Sequence, residues 1–350
     1  MVALTLGLLI IASLTTIYVN SSFTRNEIEK TSQQTDNGQY ALQLISDDLR
    51  NAGYLAAFNP VQYGPLNPNQ DPLSSPASMK LPVAKPDPCA TDLASLTVAL
   101  PLAVQGYKSS AGLGCITEAV VPATDVLVVR RASATCAVVG AGCDSAVPGA
   151  VYFQASGCAS QAELSSGNVN TFYALATDTS TLNLHQKDCL AAALINQYRV
   201  HIYYVARNDK PGDGIPTLKR LELTGIANAP GWAVVPLVEG IENLQLEYGI
   251  DTSVTPTSGA PAVFNANPDT YLGCAPSKCI EYWSNVVAAK VYLLARNTTP
   301  TAGFTDAKRY TLGIKADGTP NTLAATGDPF RRHVFETVVR LNNPAGRNTP

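Results

Sequence analysis

This chain of 350 residues is poor in charge and in histidine, and no charged residue occurs before Arg25. Asp, Glu, Lys and Arg together make up 15% of it, and the net charge is −3. Composition therefore supplies neither a nucleic-acid track nor a strongly basic face for anionic lipid. The three histidines are His185, His201 and His333. None lies in a His-Glu-x-x-His pattern, and with no accompanying ligand or base constellation they read as structural. There is no Gly-x-Ser-x-Gly elbow and no phosphate-cradling Gly-x-x-x-x-Gly-Lys, so no catalytic residue, small-molecule substrate or cofactor is expected. No repeat appears at solenoid or propeller periods. Beyond the N-terminus, no apolar run approaches the ~20 residues of a membrane span.

What the sequence does hold is one long helix pattern. Proline is absent before Pro60, Met1 to Val19 is almost wholly apolar, and charges recur from Arg25 to Arg50. A helix of this length spans roughly 75 Å at ~1.5 Å per residue, against a bilayer core of about 30 Å. We expect its two halves to occupy different solvents. Residues 1–24 form a transmembrane half carried by Leu4, Leu6, Leu8, Leu9, Ile10, Ile11, Leu14 and Ile17, and residues 25–52 form an amphipathic half in water. In the second half Arg25/Glu29, Glu27/Lys30 and Asp47/Arg50 are favourable surface pairs. Ala41, Leu42, Leu44, Ile45, Leu49 and Ala52 make an apolar stripe for a domain to cover. Asp47 and Asp48, adjacent and so on different faces, read as solvated helix surface. Gly53 fits a terminating position, and Gly7 and Gly38 mark close packing or local melting.

Residues 53–350 read as one β-rich globular domain. Residues 55–124, rich in Pro, Asn and Gly, are expected to wrap the helix irregularly. Strand patterns follow at 125–130, 198–206, 217–223, 243–249, 286–296 and 335–341, with a hairpin turn at Asn208–Gly214 between the second and third. Strands in succession without long helices predict an antiparallel sheet covered on one face by the N-terminal helix, an α+β fold. The Asn208–Gly214 loop holds Asp209 and Asp213, weak candidates for Ca²⁺, but its residues are those a turn needs and its spacing departs from an EF-hand. Arg130/Arg131, Lys219/Arg220 and Arg331/Arg332 read as strand-edge gatekeepers. Asn20-Ser21-Ser22 and Asn297-Thr298-Thr299 match the glycosylation sequon, a pattern frequent by chance.

The eight cysteines are even in number and form no Cys-x-x-Cys pair, which favours disulfides in an oxidising compartment over zinc. Spacing alone does not settle their connectivity. Pairing of neighbours is preferred: Cys89–Cys115, Cys136–Cys143, Cys158–Cys189 and Cys274–Cys279, with glycines or proline inside the two short loops.

The N-terminal block MVALTLGLLIIASLTTIYVNSS, with EIEKTSQQTDNGQYALQLISDDLRNAGY at 27–54, resembles the minor pilins of the PilW family of type IV pili. YRVHIYYVARND, PTLKRLEL, LVEGIENLQLEYGID, WSNVVAAKVYLLARNT, KRYTLG and FRRHVFETVVRLNN extend the resemblance, which is loose over 55–195. It implies a pilin fold, a long helix whose second half packs on an antiparallel sheet, and a non-enzymatic role in priming the pilus at or near its tip, supporting motility and adhesion. It also implies an inner-membrane stage with the domain in the periplasm, then the pilus at the cell surface. The implied partners are other minor pilins, the major pilin, a tip adhesin and the inner-membrane assembly platform. In the family a basic leader, a processing site after glycine and Phe-Thr-Leu-Val/Ile-Glu-Leu precede such a helix. Met1 starts inside it, so the sequence is expected to be truncated before the prepilin motif. A type II secretion pseudopilin is the alternative within the fold. A membrane-tethered periplasmic enzyme or binding protein is the alternative outside it.

Overall fold

The computed structural model describes residues 2–58, 81–138, 142–158, 173–253 and 258–347, with side chains from Leu6 onward. Helix α1 runs from Val2 to Asn51 without a break. It stops where Gly53 takes φ +70°, a conformation glycine adopts without steric cost, and the Gly53 N–H donates to the Arg130 carbonyl at 2.8 Å. Its docked half buries Ala41, Ile45, Leu49 and Ala52 completely, with Leu42 and Leu44 packed at the margin of the same core. The stripe expected from the 3.6-residue period is thus the face the domain covers.

The β structure is not the single sheet that the strand patterns suggested. Seven strands form one antiparallel sheet: β1 (Val104–Tyr107), β2 (Val126–Ala137), β3 (Tyr152–Ala155), β4 (Tyr173–Ala176), β5 (Ile195–Ala206), β6 (Thr217–Ile226) and β7 (Ala229–Glu239). Four more, β8 (Ile241–Ile250), β9 (Val263–Asn265), β10 (Val286–Arg296) and β13 (Arg332–Arg340), form a second in the order β13-β10-β8-β9. The hairpin of β11 (Tyr310–Ile314) and β12 (Pro320–Leu323) covers Tyr292 and Leu294 on the second sheet's far face. The chain changes sheets at Gly240, with φ +78°. Its N–H donates to Pro216 beside the first sheet and its carbonyl accepts from Arg296 of the second, both at 2.7 Å. A Cβ there would stand 2.7 Å from the Arg296 oxygen, so the crossing needs glycine.

Helix α1 packs on β13 and β10, and the main core joins it to Leu127, Tyr203 and Val205 of the first sheet and to Leu244, Val291 and Leu293 of the second. A second core lies on the far face of the seven-stranded sheet. There Val128, Val200 and Ile202 meet Leu96 and Leu100 of the segment containing α2 (Leu93–Ala99). The described part of residues 55–124 is therefore largely a lid on the sheet rather than a wrap around the helix. Strand β5 is buried on both faces for the same reason. Two further helices, α3 (Pro276–Ser284) and α4 (Asn342–Arg347), close the ends. Four disulfides join Cys89 to Cys115, Cys136 to Cys143, Cys158 to Cys189 and Cys274 to Cys279.

Candidate assembly site: the two halves of the N-terminal helix

From Leu6 to Val19 the large apolar side chains of the helix stand exposed, and Phe23 is the first to line a concavity shared with the domain, beside Pro300 and Ala302. Leu6, Leu8, Leu9, Ile10, Ile11, Leu14 and Ile17 are 54–68% exposed. Leu8 to Ile11 are consecutive, and at about 100° per residue they leave no polar side. At roughly 1.5–3 kcal/mol for full burial of each such side chain, these seven represent on the order of 10–20 kcal/mol of transfer energy available to lipid or to other helices. The Leu4 side chain lies outside the described residues. Three hydroxyls in this half are satisfied internally. Ser13 donates to the Ile10 carbonyl, Thr15 to Ile11 and Thr16 to Ala12, at 2.9, 2.7 and 2.9 Å. A hydroxyl bonded back to its own helix presents no open donor to hydrocarbon. By length and composition this helix is apolar enough to cross a membrane.

Two residues past the first charge, the helix is fastened to the domain. The Glu27 carboxylate accepts from Lys30 Nζ at 2.9 Å and from the Thr301 hydroxyl at 2.8 Å, with Arg331 Nε at 3.5 Å. Lys30 also donates to the Pro300 carbonyl at 2.9 Å. Gln34, 6% exposed, places its amide nitrogen 2.8 Å from the carbonyls of both Ala295 and Arg331. At Gly38 the Phe335 ring lies so close that a Cβ would sit 2.2 Å from it; Gly7 has nothing within 4 Å. Close packing thus explains Gly38 and not Gly7. Glu27–Lys30 and Asp47–Arg50 form the pairs that their spacing predicts, whereas no Arg25–Glu29 pair forms among the described residues.

The last turns hold a buried ionic joint where a solvated surface was expected. Asp47 is exposed, but Asp48 is 5% exposed and faces the first sheet. Its carboxylate accepts from Arg131 Nε at 2.7 Å and the Tyr203 hydroxyl at 2.9 Å, and His201 Nδ1 lies 2.6 Å away. Burial works to raise the Asp48 carboxyl, but the charge and hydrogen bonds of His201 and Arg131 outweigh it and hold the group well below the usual carboxylate range. A buried carboxylate survives only with such partners. The spacing contained the signal: Asp48 is three residues after Ile45 and four before Ala52, inside the buried stripe. The gatekeeper reading of the basic pairs fails for the same reason. Arg130 and Arg332 are buried, and Arg332 is held by Glu242, Asp306 and Asp328. Lys219 is buried too and pairs with Glu118.

In the Asn208–Gly214 turn the Asp213 carboxylate accepts the backbone N–H groups of Lys210, Ile215 and Asp209 at 2.7, 3.0 and 3.2 Å. Asn208 accepts from Gly214 N at 2.9 Å. Asp213 is thus occupied in shaping the turn, and among the described residues no group of three or more His, Cys, Asp or Glu is placed to hold a metal. Asn297 of the second sequon is 2% exposed.

The chain thus joins an exposed apolar half-helix directly to a half fastened on a two-sheet domain. Residues 202–343 match the model of the family described as type IV pilus-assembly protein W, PilW. Over that stretch the chain is similar to the PilW family. The PilW-matching segment runs from β5 to the start of α4, and so contains β8, β10 and β13 and the loops that fasten α1 at Thr301 and Arg331. No curated protein sequence matches the chain. Among solved structures it is similar to a type IV-like pilin from Thermus thermophilus, at 14% identity over 63% of this chain and 78% of that one, with a TM-score of 0.26. A pilus-assembly family and an N-terminal apolar helix together fit membrane anchoring.

Proposed function

We propose that this chain is a structural, non-enzymatic minor pilin of a type IV pilus. Residues 1–24 hold it in the inner membrane, with the domain in the periplasm. It joins other minor pilins to prime assembly on the inner-membrane platform, and passes into the pilus at or near the tip, against the major pilin and beneath a tip adhesin. The observation that carries this reading is the contrast within one unbroken helix, apolar on every side in its first half and fastened by named contacts in its second. Moving such a half-helix from lipid into a bundle of similar helices exchanges one apolar surrounding for another, so its hydrophobic energy changes little. Packing and polar contacts of the domain then set which partner is met, and loops outside the rigid sheets supply that variety.

The test is a charge in the first half. Leu9→Arg is expected to abolish retention in the membrane fraction and to abolish surface piliation, since a charge at mid-bilayer is costly. Unaltered piliation would overturn the proposal.

A further inference from the structure

The far face of the seven-stranded sheet, away from α1, buries polar side chains that neither the helix nor the strand pairing requires. Arg130 stands on β2 between Val128, opposite Gln105 of β1, and Ala132, opposite Tyr198 of β5. Side chains two residues apart on a strand share a face, and directly opposed residues do too. Gln105, Arg130 and Tyr198 therefore form a diagonal row. All three are at most 2% exposed, covered by Leu96, Leu100 and the segment closed by Cys89–Cys115.

The row is short of one thing, negative charge. The Arg130 side chain donates from Nη1 to the Leu102 carbonyl at 3.3 Å, and among the described residues it meets no carboxylate. The Tyr198 hydroxyl has no hydrogen-bond partner among them. Burial pushes the Arg130 guanidinium down, and Tyr198 and Tyr107 are the groups that oppose this. The neighbouring cation, Lys85, is already matched: Asp269 lies 2.6 Å from its ammonium and the Gly106 carbonyl 2.7 Å. The amide nitrogen of Gln105 is taken by the Pro86 carbonyl at 3.0 Å and the Tyr107 hydroxyl at 3.2 Å. Its oxygen is unpartnered, but as an acceptor it is no ligand for an anion.

A guanidinium does not escape burial by losing its proton, so its charge has to be met in place. We propose that Arg130 and the Tyr198 hydroxyl bind a small monovalent inorganic anion, of the size of chloride, between the sheet and its lid. A halide accepts from N–H and O–H donors without a fixed direction, which suits one fork of donors and one hydroxyl. The ion would tie β2 and β5 to the Cys89–Cys115 segment and act as a structural part of the domain.

The full chain in detergent is melted in sodium chloride and in sodium gluconate at equal ionic strength. Specific binding predicts a saturable rise in Tm of about 2–5 °C with chloride, absent in Arg130→Met. If Arg130→Met does not fold, crystals of the unaltered protein soaked in bromide decide the matter, with an anomalous peak expected beside the Arg130 guanidinium. Equal melting in the two salts overturns the proposal. So does a bromide map empty at that point, or a carboxylate of the chain itself seated there.

Discussion

The two halves of α1 are made of the same backbone and solve opposite problems. From Leu6 to Val19 the helix presents apolar side chains in every direction, and Ser13, Thr15 and Thr16 bond back to its own carbonyls. Nothing in that half depends on a particular neighbour. Between Glu27 and Ala52 the helix meets specific groups at four points: Thr301 at Glu27, two carbonyls at Gln34, the Phe335 ring at Gly38, and the His201–Arg131–Tyr203 cluster at Asp48. The first half is selected by a solvent, the second by a shape. Substitutions should separate them, because changes in the first half alter partition and leave the fold alone, while changes in the second unfold the domain.

The largest stability effect is expected at Asp48. Asp48→Ala leaves His201, Arg131 and Tyr203 facing one another without their carboxylate, and breaking a buried ion pair from one side costs about 3–5 kcal/mol. Denaturant unfolding of the full chain in detergent measures it, and a loss below 1 kcal/mol, on the scale of an exposed pair, would show that the joint is not energetically buried. Next comes a matched pair of truncations. Leu49→Ala, in the completely buried stripe, should lose about 2–5 kcal/mol. Leu9→Ala should leave domain stability within about 0.5 kcal/mol. Comparable losses at both would contradict the separation.

The glycines make a finer comparison. Gly38→Ala has to displace the Phe335 ring and should cost about 1–3 kcal/mol. Gly7→Ala, with open space around it, should leave domain unfolding unchanged while favouring the helix by about 0.5–1 kcal/mol.

The smallest effects lie in pH dependence, where two buried aspartates act with opposite sign. Asp48 is held below the usual range, so its contribution is present at neutral pH and is lost as pH falls below about 4. Asp125 joins the two sheets, accepting from the Leu246 N–H at 2.9 Å with Lys108 at 2.7 Å. Burial pushes its carboxyl up to about 6 against the pull of Lys108. The native state therefore takes up a proton first, and stability rises as pH falls from 6 towards 4. Unfolding curves of Asp125→Asn should lack the slope between pH 6 and 4, and those of Asp48→Asn the loss below 4. Unchanged slopes in both variants would remove this assignment.

Periodic features were legible without coordinates. The stripe from Ala41 to Ala52 and the strand Val286–Arg296 each repeat one physical period over three or more turns or pleats, and both appear where that period puts them. Strand β7 was not legible. Pro230, Gly231 and Pro236 break its pattern, and the structure tolerates them because β7, among the described residues, pairs only with β6 and needs no donors on its other edge. The single sheet expected from successive strands became two because the change of sheet rests on one residue, Gly240, whose role shows only once Pro216 and Arg296 lie on either side of it.

Charged residues divide along the same line. A carboxylate such as Asp48 carries the same letter whether solvated or buried. Its partners, Arg131, His201 and Tyr203, lie 83, 153 and 155 residues away along the chain, so no local window contains the joint. The apolar half of α1 differs, since its behaviour needs no partner: composition and length alone decide that it leaves water, because the hydrophobic effect depends on area and not on direction. Sequence by itself thus determined that this protein has a long helix with an apolar first half and a β-rich domain. Tertiary structure alone decided which face of the helix is fastened, by which charges, and across which two sheets, because ion pairs and close packing act only at contact distances that folding creates.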